Sequence, residues 1–259
     1  MILVIDIGNT CITLGGFETD AQNGKPAFVS RLATDLGGTA DEYAFRILSA
    51  LALHKIDADR VCGAIFSSVV PPLNSVIRQA LCFLFGKEPL AVGPGIKSGI
   101  SIRCDMPSSV GADLIAAAVA AHKLSPCPAL IIDMGTATKM TVLDETGAFI
   151  GASIMPGVTM GVTALSEQTA QLPKISLEAP TKVISKNTAD CMRSGVLYGN
   201  ASMVDGMIDR MTEEYGAPLH VLATGGMASM IIPLCKHKIK IDEHLVLKGL
   251  YFLYLKNRV

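Results

Sequence analysis

The chain has 259 residues, enough for two compact domains of ordinary size, and half of them are hydrophobic against 17% charged, which excludes a disordered or fibrous protein. A formal net charge of -1 without any lysine and arginine cluster excludes a nucleic-acid surface, because phosphate backbones are held by concentrated positive charge. No apolar run reaches the roughly 18 residues of a membrane span, and the opening MILVIDIGNT enters a strand pattern without a basic leader, so the chain is expected in the cytoplasm, with neither membrane nor nucleic acid as a partner.

In chain order, MILVID (1–6) is an apolar strand ending in an acid, followed by a Gly-Asn-Thr turn, the strand-like run CITLGGFE (11–18), the turn NGK (23–25) and a third strand, PAFVSRLAT (26–34). A helix is expected to open at Thr39, where Glu42 completes a capping box ahead of Phe45, Leu48, Leu51 and Leu53. A strand over Val61 to Phe66 precedes a second helix that opens at Asn74 and stops at Gly86, a good helix C-terminal residue. Then, after the alanine-rich helix ADLIAAAVAAH (112–122), the order restarts: ALIIDMGT, TKMTVLD, the turn ETG, AFIGASIM and a helix after Pro156-Gly157.

The same pattern of apolar strand, acid, glycine turn, strand, turn, strand and helix thus begins at Ile2 and again at Ala129, which implies an α/β chain of two similar lobes facing each other across a cleft. A long helix from Thr188 to about Glu213, a strand HVLA running into Thr224-Gly225-Gly226, and a last helix near Glu243 to Tyr254 complete the second lobe. The boundary is expected in the alanine-rich helix, giving lobes 1–117 and 118–259. The seven cysteines are scattered and never form C-x-x-C, and the five histidines show no ligand spacing, so neither disulfides nor a zinc centre are indicated.

Candidate chemistry gathers at the glycine turns. Asp6 sits at a strand end and is followed by Ile7-Gly8-Asn9-Thr10, a carboxylate for Mg²⁺ beside backbone N–H groups and a hydroxyl for phosphate oxygens. An ordinary hairpin turn would read the same way, but the second turn, Asp133-Met134-Gly135-Thr136, lies at the equivalent place of the second repeat. Gly225 adds a third turn where backbone can approach a nucleotide closely. Gly111-Ala112-Asp113 opens a helix, whose dipole favours an ionised carboxylate: either a simple first-turn acid or the base for an attacking hydroxyl. Asn187-Thr188 is either a helix cap or a hydroxyl presented to substrate.

These motifs, together with SSVVPPL (67–73), GPGIKSGI (93–100), TAQLP (169–173), ATGG (223–226) and LVLKGL (245–250), resemble the type III pantothenate kinases nearly end to end. The resemblance implies two ribonuclease H-like lobes in the actin-like (ASKHA) duplicated fold, usually as a homodimer, using ATP, Mg²⁺ and a monovalent cation, K⁺ or NH₄⁺. It implies that Asp6, Ile7, Gly8, Asn9, Thr10, Cys11, Ile12 and Thr13 line the ATP phosphates, with Thr136 also contacting ATP, and that Asp133 holds the monovalent cation. Asp113 would be the catalytic base, and Gly111, Ala112, Asp113, Leu114, Cys104 and Thr188 would meet pantothenate. The product would be 4'-phosphopantothenate, for coenzyme A synthesis.

The chain departs from the family pattern on the acceptor side. Leu114 stands where the family has an arginine, Cys104-Asp105-Met106-Pro107 where it has Tyr-x-Asn-Pro, and Lys139-Met140-Thr141 where it has Thr-x-Asp. Three readings stay open at this point. Lys139 supplies the charge lost at Leu114, or stands in for the monovalent cation, and the kinase activity survives. Alternatively the acceptor is a less anionic alcohol. In the third reading the chain binds nucleotide without transfer, as in the Bvg accessory factor branch.

Overall fold

The computed structural model describes residues 1–21, 24–178, 180 and 182–258, so Asn23 of the expected NGK turn lies outside the described residues. Two compact units divide the chain, one of residues 1–124 with 244–259 and one of residues 125–243.

In the first unit, β1 (Ile2–Ile7), β2 (Cys11–Phe17) and β3 (Phe28–Ala33) form an antiparallel meander, followed by α1 (Ala40–Leu53), β4 (Gly63–Ser68), α2 (Pro71–Phe85), β5 (Leu90–Ala91) and α3 (Ala112–Leu124). The sheet order is β3-β2-β1-β4-β5, with β4 and β5 parallel to β1. β1 is apolar on both faces because both are covered. Leu3, Ile5 and Ile7 join the core that contains Tyr43, Ile47, Leu73 and Ile77 of α1 and α2. Ile2 and Val4 join the opposite core, with Ile115 and Ala116 of α3. The capping box at Thr39 and Glu42 is present, and Gly86 ends α2 in the left-handed conformation. Helix α2 begins three residues earlier than expected, because Pro71 supplies a preset first-turn φ.

The second unit repeats this plan with β6 (Ala129–Met134), β7 (Ala137–Leu143), β8 (Phe149–Pro156), α4 (Val158–Glu167), α5 (Thr188–Tyr215), β9 (His220–Thr224), the short α6 (Ala228–Ile231) and β10 (Lys240–Ile241). Its sheet order, β8-β7-β6-β9-β10, is the first sheet with each strand replaced by its counterpart, and the strand directions agree. Burial along β6 and β7 repeats that along β1 and β2 position by position. Val196, Leu197, Val204 and Ile208 place the apolar face of α5 in this unit's own core.

One expectation is corrected. The boundary does not fall at 117/118: α3 belongs whole to the first unit, and so does α7 (Leu245–Asn257), which was assigned to the second lobe. The reason is packing. A Cβ on Gly249 of α7 would collide with the backbone carbonyl of Ala116, so the two helices cross with backbones nearly touching, and the alanines of α3 permit that approach. Of the apolar residues behind the capping box of α1, Leu51 alone is buried. Phe45 and Leu53 are 72% and 79% exposed and Leu48 is exposed too, while Tyr43, Ala44, Ile47, Ala50 and Leu51 are buried.

Candidate functional site

Alternation along β1 sends Asp6 to the face that carries Ile2 and Val4, the side covered by α3. Its register partners are Thr13 on β2 and Ser67 on β4. Ser67 is fully buried, and its hydroxyl donates to Asp6 Oδ1 at 2.7 Å, fixing one carboxylate oxygen. The turn that follows is tight: Gly8 N–H donates to the Cys11 carbonyl at 3.1 Å, and the Thr34 hydroxyl donates to the Gly8 carbonyl at 2.6 Å. Asn9 and Thr10 are exposed at its tip. Cys11 and Thr13 share the face of Asp6, whereas the side chains of Ile7 and Ile12 enter the opposite core. Any approach of a ligand to those two isoleucines therefore runs through backbone.

Helix α3 carries the acceptor-side candidates. Asp113 is 7% exposed in its first turn, and its Oδ1 accepts from the Leu114 N–H at 2.9 Å. A Cβ on Gly111 would lie 2.6 Å from that same oxygen, so the carboxylate folds back over Gly111, and Ala112 is half-buried between them. Leu114 is buried and Cys104 half-buried, while Met106 is exposed ahead of the 3-10 turn Pro107–Ser109. Asp6 and Asp113 thus belong to the same side of the first sheet.

The second unit repeats the first arrangement with other partners for the acid. Asp133 occupies the strand position of Asp6, and its direct register partner is Lys139, at the position of Thr13. Lys139 Nζ lies 3.4 Å from Asp133 Oδ2, and the two side chains are 18% and 14% exposed. Gly225, with φ +93°, packs its backbone on the end of β6: a Cβ there would lie 2.6 Å from Met134 N and C. Thr224 is the register partner of Asp133 on β9, and Met227 N–H donates to the Met134 carbonyl at 3.1 Å. Gly157 at the start of α4 lies closer still to the Thr136 carbonyl, and Thr136 is exposed at the turn. Asp133, Thr136 and Gly225 are therefore brought to one end of the second sheet. Thr188 is exposed at the first position of α5, and Asn187 before it caps the helix by accepting from Asp190 N–H at 2.9 Å.

Ser67 stands in the sequence only as the start of the SSVVPPL run, and its part beside Asp6 comes from the β1/β4 register. The β6/β7 register sets Lys139 on the same face as Asp133. Among the described residues no group of three or more His, Cys, Asp or Glu is placed to hold a metal ion. Mg²⁺ does not require one, since it is commonly held by one or two carboxylates with substrate phosphates and water. Asp6, with Oδ1 fixed by Ser67, fits that role. An inorganic cation on Asp133 fits poorly. It would share the carboxylate with the Lys139 ammonium, and two unit positive charges about 4 Å apart repel by roughly 4 kcal/mol at an effective dielectric near 20.

Two lobes of identical topology, each with an acid and a glycine turn at the same strand end, define a duplicated actin-like, or ASKHA, protein. Solved structures carry the same fold. The putative Baf family transcriptional activator from Campylobacter jejuni aligns with TM-score 0.61 at 16% identity over 98% of both chains. A putative 2-dehydro-3-deoxygalactonokinase from Sinorhizobium meliloti aligns with TM-score 0.60 at 12% identity over 100% of this chain and 98% of its own. A model of the type III pantothenate kinase family matches residues 2–210. The type III pantothenate kinase of Geobacter sulfurreducens is 38% identical over 258 residues, covering 100% of each chain. The chain belongs to the type III pantothenate kinase family.

Proposed function

We propose that the protein transfers the γ-phosphoryl group of ATP to the primary hydroxyl of pantothenate, giving ADP and 4'-phosphopantothenate. The family match over residues 2–210 carries this reading, and the duplicated acid-and-glycine turns supply its chemical parts. By family resemblance Gly8, Asn9, Thr10 and Thr13 would donate to the phosphates, and Thr136 and Gly225 would meet the nucleotide. Asp6 would hold Mg²⁺, which when bound neutralises charge on the β- and γ-phosphates. Asp113 would take the proton of the pantothenate hydroxyl as its oxygen bonds to the γ-phosphorus and the bond from that phosphorus to the β,γ-bridging oxygen breaks, leaving ADP. A carboxylate anchored by a first-turn N–H is positioned before substrate arrives, and positioning supplies much of catalysis in phosphoryl transfer.

Leu114 removes one charged contact to the pantothenate carboxylate, a loss of about 2 to 5 kcal/mol for a buried pair, which weakens turnover without abolishing it. By family resemblance Thr188 and Cys104 would still meet pantothenate. By family resemblance the working form is a cytoplasmic homodimer, and light scattering on the purified chain tests the stoichiometry. ADP release with ATP and Mg²⁺, with and without pantothenate, tests the activity. Pantothenate-dependent release that disappears in Asp113→Asn is the expected result; nucleotide binding without release under any condition would overturn it.

A further inference from the structure

The two units place the same strand pair at the same corner with the same burial, yet the residue facing the acid differs. Asp6 faces the neutral Thr13, and Asp133 faces Lys139. The Lys139 ammonium lies 3.4 Å from Asp133 Oδ2 with both side chains largely covered. We infer that Lys139 is the resident cation of the Asp133 corner, so that nucleotide binding and turnover need no potassium or ammonium ion from solution. This rests on the kinase reading above and specifies how that site is neutralised.

An alkylammonium carries the same charge as NH₄⁺ and three of its N–H donors. Tethered to β7, it is present at every molecule without a binding equilibrium, and the translational entropy that a free ion loses on binding is already lost in folding. A second cation on the same carboxylate would meet like charge. The direct register of Lys139 with Asp133 makes the pairing a property of the strand ladder rather than of a mobile surface side chain.

The experiment compares ADP affinity, thermal midpoint and pantothenate-dependent ADP release in potassium chloride and in choline chloride at equal ionic strength. The native chain is expected to give the same values in both salts. Lys139→Met, which keeps the length of the stem and loses the charge, is expected to bind ADP more weakly in choline and to recover in potassium by roughly 5-fold or more, the low end of ordinary coupling between sites. A native chain that gains ADP affinity from potassium by that factor overturns the inference, and so does a Lys139→Met chain indifferent to the salt. Should Lys139→Met not fold, Lys139→Gln replaces it, and the native comparison can overturn the inference alone. ADP binding needs no acceptor, so the two proposals separate. Salt-indifferent native binding with a potassium-rescued variant upholds Lys139 even if no salt yields pantothenate turnover, an outcome that would remove only the kinase reading. Absence of any ADP binding overturns both.

Discussion

Ser67 and Lys139 hold the two strand-end acids by different means, one with a hydroxyl and one with a charge. Removing the hydroxyl leaves Asp6 short of a buried donor, and a hydrogen bond to a charged group contributes about 1.5 to 3 kcal/mol. Ser67→Ala is therefore expected to weaken ATP-dependent turnover by roughly 10- to 100-fold at the level of kcat/KM, with an unchanged circular dichroism spectrum; steady-state kinetics over ATP concentration checks it. Gly225→Ala meets a harder obstacle, since its φ of +93° is unfavourable for any side chain and Met134 backbone blocks the space. At this scale the acids and glycines were legible, because an acid closing an apolar strand and a glycine after it are chemically conspicuous. The part played by Ser67 was not: it opens the SSVVPPL run as a serine at the end of an apolar strand, and only pairing across to β1 gives it an object. Lys139 was legible as a substitution but not as a partner, since a one-residue shift in register would turn it to the other face.

Helices α1, α3 and α7 show what the sequence states about whole elements. The start of α1 was readable to the residue, because the Thr39–Glu42 capping box is a local device satisfied within one turn. Its buried side was not. Phe45 and Leu53 dominate any hydropathy reading, yet the interior takes Ala44, Ala50 and Tyr43, the last with its hydroxyl bonded to the Asp35 backbone. The crossing of α3 and α7 was half legible: alanines announced a close neighbour without naming it. That crossing predicts that Gly249→Ala destabilises the fold by about 1 to 3 kcal/mol or more, since the added methyl meets backbone rather than a movable side chain. Gly206→Ala in α5, where nothing lies within 4 Å of a Cβ, is the contrasting case and is expected to stabilise by about 0.5 to 1 kcal/mol. Urea denaturation of both variants checks the pair.

Over the whole molecule, repetition was the most readable feature, since two copies of one pattern in one chain support each other. The domain limits were not readable, because nothing local in α7 tells which sheet it will cover. Ionisation links both units to alkaline pH. Burial raises the Cys235 thiol from 9.0 to about 11 in the second unit, and burial raises the Tyr251 and Tyr254 phenols in the first. Each group stays neutral in the folded chain at a pH where the unfolded chain ionises. Stability is therefore complete below about pH 9 and falls as pH climbs towards 11. The thermal midpoint should drop over that interval, and Cys235→Ser should make the drop shallower. The return of α7 to the first unit has a further consequence for the order of assembly on the ribosome. Leu247, Leu250, Tyr251 and Leu253 complete a core begun by Ile2 and Val4, and all of residues 125–243 are translated in between. The first half of the chain emerges early and waits, its alanine helix uncovered, until the second half has been made.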